Sequence, residues 1–486
     1  MRKAMERQGR LDCELIENVR LNLECRDEII PILRALQQVY SQPVLRDQIL
    51  ELICKDVNAD SRTDRGREGF DYWQILVLVA VRQGCAFNYD KLQDLAEQHR
   101  ALRQIMGIGD WNEDVSFNWR RIRDNVCLLS PETIESISHL IVGEGHKFCP
   151  AAAEHVRGDS FVMETNIHYP TEATLISDGI HQILKLVVRL AELVNAKGWR
   201  QSRKLETKTR QITREIQRIA ARKGPNYQER LKVKYQHLIR HATKISQRAR
   251  DLENEVTAGK MAEAFAPYPE RLRHFLDLTD QVLQTATRRM LHGESVPNDE
   301  KLFSLYETHT QLYKRGKAGE PIQFGRLVLV YEDAAGFIVH HHLLPRNETD
   351  RDVVVEQTKT VVQSLDQKVK SLSFDRGFHS PEIQNALKPL VPTVCIPVPG
   401  DKQAKAQMEQ STVEFRAAHQ RHSGIESAIG ALQAGNGLER CFDKTERGFA
   451  RCLALGVLGR NLHVLGKLMI AREAPKSRSG FSQRAA

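Results

Sequence analysis

The 486-residue chain reads as an α/β protein, a mixed sheet with a helical N-terminal domain in front and a large helical insertion, of coiled-coil hairpin type, inside it. Three observations carry that expectation. Apolar residues alternate with a period of two from about residue 156 and again at 324–331, 336–344, 371–374 and 391–399, the mark of half-buried strands. Before residue 148 they fall at helical spacing instead. Between the first and second runs, two long stretches repeat apolar residues every seven positions.

Composition sets the bounds. A chain this long holds about three domains of ordinary size, and 41% hydrophobic residues can supply their cores. No apolar run approaches the roughly 20 residues of a membrane span, and the start MRKAMERQGRLDCEL lacks the apolar stretch of a signal peptide. A soluble cytoplasmic protein with no membrane partner is therefore expected. Nine cysteines without a Cys-x-x-Cys pair point to reduced thiols. His340, His341 and His342 lie in an alternating strand, so at most two share a face, and no carboxylate or cysteine at close spacing turns them into a metal site. The net charge of +9 and pI near 9.0 favour a polyanionic partner.

Residues 1–65 carry helices at about 26–40 and after Pro43, a lead-in of no evident role. In 66–148, Asp71 can cap a helix that stops near Gly84, Asn88 or Asp90 a second, and Ser116 a third containing Trp119, Arg120 and Arg121. Ser130-Pro131-Glu132 starts a fourth. A basic helix after a turn allows a helix-turn-helix-like DNA reader, with Arg120 and Arg121 as contacts, while a small bundle packed on the rest is the plainer alternative. The first strand begins at about 156, followed by a helix over 173–197.

From 200 to 250 there are sixteen Lys or Arg against Glu206, Glu215 and Glu229, a segment charge of +13 that leaves the remainder at −4. Leu205, Ile212 and Ile219 repeat at seven, and after Gly224-Pro225-Asn226 the heptad resumes at Leu231, Leu238, Ile245 and Leu252. This predicts an antiparallel hairpin whose one-sided charge suits DNA phosphates, with Arg203, Lys204, Arg210, Arg214, Arg218, Lys232 and Lys234 as contacts. A solvated coiled-coil face, or a dimerisation seam, would give the same heptads. A further helix follows Pro269 and ends at Gly293. Two strands then flank Glu332-Asp333-Ala334-Ala335, read as a hairpin turn with solvated acids. Asp350 starts a helix to about Leu365, and 391–399 reads as the fifth strand. A lysine-rich loop, a helical pattern over 421–432, an apolar closing helix at 448–469 and a disordered polar tail from Ala474 complete the chain.

Three acids stand out by position. Asp375 ends the strand Ser371–Phe374 and is followed by Arg376, Gly377, Phe378 and the helix start Ser380-Pro381-Glu382. Asp159 heads the alternating run with Phe161 and Met163, and Glu426 sits in a helical pattern with Ile425, Ile429 and Leu432. Two strand acids and a helix glutamate are the arrangement a pair of divalent ions needs.

In this order the acids resemble the DDE transposases of bacterial insertion sequences, which have an RNase H-like core. ETNIHYPTEATLISDG (164–179) and KAGEPIQFG (317–325) look like segments of the ISNCY-type members, and matching segments span roughly 66–470. The resemblance implies an RNase H-like catalytic core from 156–198 and 321–472, a DNA-end-binding domain at 66–148, a basic insertion at 199–320 and a tail at 473–486. It implies that Asp159, Asp375 and Glu426 are catalytic and hold two Mg²⁺ (or Mn²⁺) ions, acting on double-stranded transposon ends and target as a homodimer or higher synaptic complex. Water would expose a 3′-hydroxyl that then attacks target DNA. Where such enzymes carry Tyr-x2-Arg-x3-Glu-x6-Lys, this chain has His419, His422, Glu426 and Gln433, so a permanently charged fork is replaced by histidines. His422, His419 and Arg376 are the candidate phosphate contacts near the acids, and His168 reads as structural. A catalytically decayed DNA-binding product of the element, or a nuclease of the same fold without strand transfer, stay open as alternatives.

Overall fold

The computed structural model describes residues 11–58, 69–111, 115–258, 267–314, 322–398 and 412–473. The polar tail and most of the lysine-rich loop lie outside them. The chain divides into two compact units, Met1–Glu164 with Leu327–Ala486, and Thr165–Arg326. These limits differ from the expected 198/199 and 320/321, because the Glu172–Leu193 helix shares its core with the insertion helices.

In the first unit the N-terminal helices are Ile29–Ser41, Pro43–Asn58, Tyr72–Gly84, Tyr89–Gln98, Arg100–Ile105, Trp119–Val126 and Pro131–His146. Local capping fixes several starts. The Asp71 carboxylate accepts from Gln74 N–H at 2.6 Å, and the Gln74 side chain accepts in return from Asp71 N–H. Asn88, rather than Asp90, caps the next helix, and Asn118, rather than Ser116, caps the Trp119 helix.

The helix Glu446–Glu473 packs against Ile29–Ser41, Tyr72–Gly84 and Pro131–His146. Its length and composition would suffice to cross a membrane, and it is the one such helix among the described residues; 72% of its apolar window is buried within the molecule. Close approach is purchased by glycine: a Cβ on Gly466 would meet the Cα of Pro31 at 2.8 Å. Asn461 is fully buried, donating to Ser138 Oγ at 2.8 Å and to the Ile338 carbonyl at 2.9 Å, and accepting from Ile338 N–H. One amide thus ties an N-terminal helix, the closing helix and the sheet together.

The sheet is mixed, with seven strands: β1 (His155–Thr165), β2 (Gln311–Lys314), β3 (Ile322–Asp333), β4 (Ile338–Leu343), β5 (Ser371–Ser373), β6 (Thr393–Cys395) and β7 (Arg440–Cys441). The order is β2-β3-β1-β5-β6, with β4 also on β3 and β7 on β1. β5 runs parallel to β1 and β6 parallel to β5, whereas β4 and β2 are antiparallel to β3. β2 and β7 are additions to the expected strands, and β6 is shorter than 391–399.

Glu332 and Asp333 correct the expectation of a solvated turn. β3 continues through both, and each is 1% exposed. Burial of a lone carboxylate is costly, so both are paired. Glu332 lies 2.6 Å from the Arg157 guanidinium and 3.7 Å from that of Arg460. Asp333 lies 2.7 Å from His146 Nε2 and accepts from the N–H groups of Ala335 and Phe337. The 421–432 pattern is also not one helix: Val413–His422 and Ile425–Gly430 are separated at Ser423-Gly424.

In the second unit, Glu172–Leu193, Ser202–Arg222, Tyr227–Ala258 and Pro267–Ala286 share one apolar core. The heptad residues Leu238, Ala242, Ile245 and Ala249 are buried in it beside Ile180, Val187, Leu272 and Leu276. The seam of the hairpin is therefore covered by helices of its own unit.

Candidate functional site

β1 and β5 pair His155 with Ser371 and Arg157 with Ser373, and each of the last paired residues stands two positions before an acid in sequence, Asp159 after β1's Arg157 and Asp375 after the end of β5. Alternation puts Asp159 on the sheet face of Arg157, Phe161 and Met163 of β1, while Asp375 follows the end of β5. The opposite face is marked by Gly158, where a Cβ would run into the Phe374 ring, and by Ser160, whose hydroxyl donates to Asp350 Oδ2 at 2.7 Å.

The helix of Glu426 packs on that face of β1 through its apolar residues. Phe161 and Met163 belong to the same apolar cluster as Ile425, Ala428, Ile429 and Leu432, so the short helix carrying Glu426 lies over the face that bears Asp159. Glu426 and Asp375 are exposed and Asp159 is half-buried.

Asp375 caps the 3₁₀ turn Arg376–Phe378, its Oδ1 accepting from Gly377 N–H at 2.8 Å. Gly377 must be small there, since a Cβ would stand 2.9 Å from that oxygen. Arg351 Nε donates to the Gly377 carbonyl at 2.6 Å and pins the turn from the Asp350–Ser364 helix. Asp159 Oδ1 accepts from Ser160 N–H at 2.7 Å.

His422 feels the charges of Asp375 and Glu426. Its Nδ1 is 3.2 Å from Ser373 Oγ. Burial lowers its pKa, while the charges of Asp375 and, less strongly, Glu426 oppose that shift. It is therefore neutral at pH 7 and offers a hydrogen bond rather than a charge to an anion. His419 is exposed and its ring stacks on Phe415 with the planes 10° apart. Arg376 is exposed in the turn after Asp375. His168, in the second unit, is 3.3 Å from Asp178.

The basic residues divide by pairing. Arg203, Lys204, Arg214, Arg218 and Lys232 are exposed on the two hairpin helices, while Arg210 pairs with Glu206, and Lys234 with Glu215 at 2.6 Å. Arg120 and Arg121 are exposed, with guanidinium groups 5.0 Å from the Trp119 and Phe70 ring centres.

Among the described residues no group of three or more His, Cys, Asp or Glu converges into a metal-holding cluster. The donors are nonetheless of the kind Mg²⁺ takes, carboxylate oxygens at an accessible surface. Asp159 and Asp375 each accept on one oxygen from a neighbouring N–H.

Sequence reasoning missed Arg157 and Arg351, and placed Glu332 in a solvated turn. A charged residue at an inward position of a core strand, as Arg157 is between apolar neighbours, was the available signal. Set against family models, curated proteins and solved structures, the chain matches none.

Proposed function

We propose that this protein is a DDE-type transposase with an RNase H-like core. It binds the double-stranded ends of its element, hydrolyses a strand to expose a 3′-hydroxyl and joins that end to target DNA, working in the cytoplasm as a homodimer or higher synaptic complex. The observation that carries this reading is the parallel pairing of β1 with β5, whose last paired residues Arg157 and Ser373 each stand two positions before an acid, Asp159 and Asp375, with the helix of Glu426 packed on Phe161 and Met163 of β1. The mixed sheet β2-β3-β1-β5-β6, with β4 also on β3, β5 parallel to β1 and β6 parallel to β5, supports the RNase H-like reading.

Asp159, Asp375 and Glu426 would hold two Mg²⁺ or Mn²⁺ ions. When bound, such a pair activates the attacking oxygen and neutralises the phosphoryl group. The chain's own contribution is positional. Arg351 and Gly377 fix the Asp375 turn, neutral His422 can donate to a phosphate oxygen, and exposed Arg376 supplies charge beside it. The unpaired cations of the hairpin suit contact along the DNA backbone.

A DNA-binding protein without catalysis is the second reading, favoured by the lack of a converged acid cluster among the described residues. Incubating the full chain with Mg²⁺ and DNA carrying the inverted repeats that flank its gene separates the two, and also sets cutting apart from cutting with joining. Wild type is expected to cut and join. Asp159→Asn, Asp375→Asn and Glu426→Gln are each expected to reduce cutting to background with DNA affinity retained; full cutting by any one removes that acid from the assignment.

A further inference from the structure

We infer that Arg157 is the positioning residue for Glu426, held in place by buried Glu332; this rests on the reading of Asp159, Asp375 and Glu426 as metal-binding carboxylates. Arg157 leaves β1 on the same face as Asp159, two residues earlier. Its Nε donates to Glu332 Oε2 at 2.6 Å, and its Nη1 donates to the Arg421 carbonyl at 2.6 Å. That carbonyl also accepts from Gly424 N–H at 3.2 Å, so the guanidinium caps the C-terminal end of the Val413–His422 helix, where a cation is favoured.

The chain then restarts at Ile425, and the break is fitted to the same group. A Cβ on Gly424 would stand 2.7 Å from Arg157 Cζ, so the backbone at 424 lies against the guanidinium with room for no side chain. The clamp is thus two residues from Asp159 along the strand and two residues from Glu426 along the helix. One planar group spans the gap between the elements that carry two of the three acids.

Glu332 explains why the group stays there. It is 1% exposed, and both Arg157 and Arg460 face it. A flexible lysine would reach only one of the two acceptors, whereas the guanidinium fork serves the carboxylate and the carbonyl together. A buried ion pair is weak evidence for stability as such, since apolar packing often does as well. Its geometry here fits placement of Glu426.

The test uses full-length protein and Mn²⁺ binding by calorimetry, which needs no DNA or turnover. Arg157→Met with Glu332→Gln removes both charges of the pair, and Gly424→Ala keeps every charge but crowds the clamp. Both are expected to weaken Mn²⁺ binding about 10- to 100-fold, the range for groups that orient metal ligands. Strand cutting should be regained on raising Mn²⁺. If the double variant fails to melt cooperatively, Gly424→Ala decides. Wild-type Mn²⁺ affinity in the variants, even with a lowered melting temperature, overturns the positioning role alone. No Mn²⁺ binding by wild type overturns the carboxylate reading and this inference with it.

Discussion

His340 and His341 show how a residue's environment, rather than its type, decides its chemistry. Both lie on β4, and burial pushes their pKa values down to about 4 and about 3. His340 Nε2 is 2.8 Å from Gln357 Oε1, a bond the neutral ring makes as donor. Both rings are neutral at pH 7. The lowered values have a direction in pH. The unfolded chain takes up protons from about pH 6.5 downward while the folded one resists until about pH 4, so stability is intact at pH 7 and drains as the pH falls between those values. From the value for His340, its share of that loss at pH 5 is about 2 kcal/mol. Urea unfolding of wild type and His340→Gln at pH 7 and pH 5 should therefore give a smaller pH difference for the variant. An unchanged difference would show that this histidine is not the source.

At the scale of elements, the closing helix carries the most. Its glycines admit backbone contact that no larger residue allows, and Gly466→Val would drive a branched side chain into the Ile29–Ser41 helix at Pro31. Overpacking of this kind costs roughly 1–3 kcal/mol or more, so a lower urea midpoint with an unchanged m-value is expected; a midpoint equal to wild type would mean the helices part without cost. Which elements were legible follows from the range of their signals. Asp71, Asn88 and Ser130 announce helices because a cap acts over three residues, and β1, β3 and β4 alternate along their own length. β2 and β7 are too short to alternate, and neighbours elsewhere in the chain create them. Glu332 looked like a turn acid because its partner Arg157 lies 175 positions away. The helix break at Ser423-Gly424 was hidden for the same reason, since the guanidinium that meets it, donating to the Arg421 carbonyl, comes from β1. Of the candidate site, the three acids were visible from strand and helix position; the arginines that hold their elements were not.

Over the whole molecule the decisive property is where the charge sits. Sixteen cations against three acids between 200 and 250 make that stretch +13 in a chain of +9, and all but Arg200 and Lys223 lie on two long helices that share an apolar core with their own unit. With the seam covered, the exposed surface of the hairpin is largely cationic. Pairing removes Arg210 and Lys234 from the free set and leaves Arg203, Lys204, Arg214 and Arg218 without acidic partners among the described residues. A surface that neutralises phosphates releases counterions, so the logarithm of affinity falls against the logarithm of salt by about 0.9 per phosphate contacted. Changing those four residues together to glutamine should flatten the slope by about 3 to 4 if each meets a phosphate, and should weaken binding alike for specific and random duplexes. Because the four side chains are exposed, thermal stability should hold, which separates lost contact from lost fold. Fluorescence anisotropy from 50 to 300 mM salt measures both quantities. A variant slope equal to wild type would assign the DNA contact to another surface, with the Arg120 and Arg121 helix as the next to test. A flattened slope with cutting retained at low salt would place the hairpin in capture of DNA and leave the chemistry to Asp159, Asp375 and Glu426.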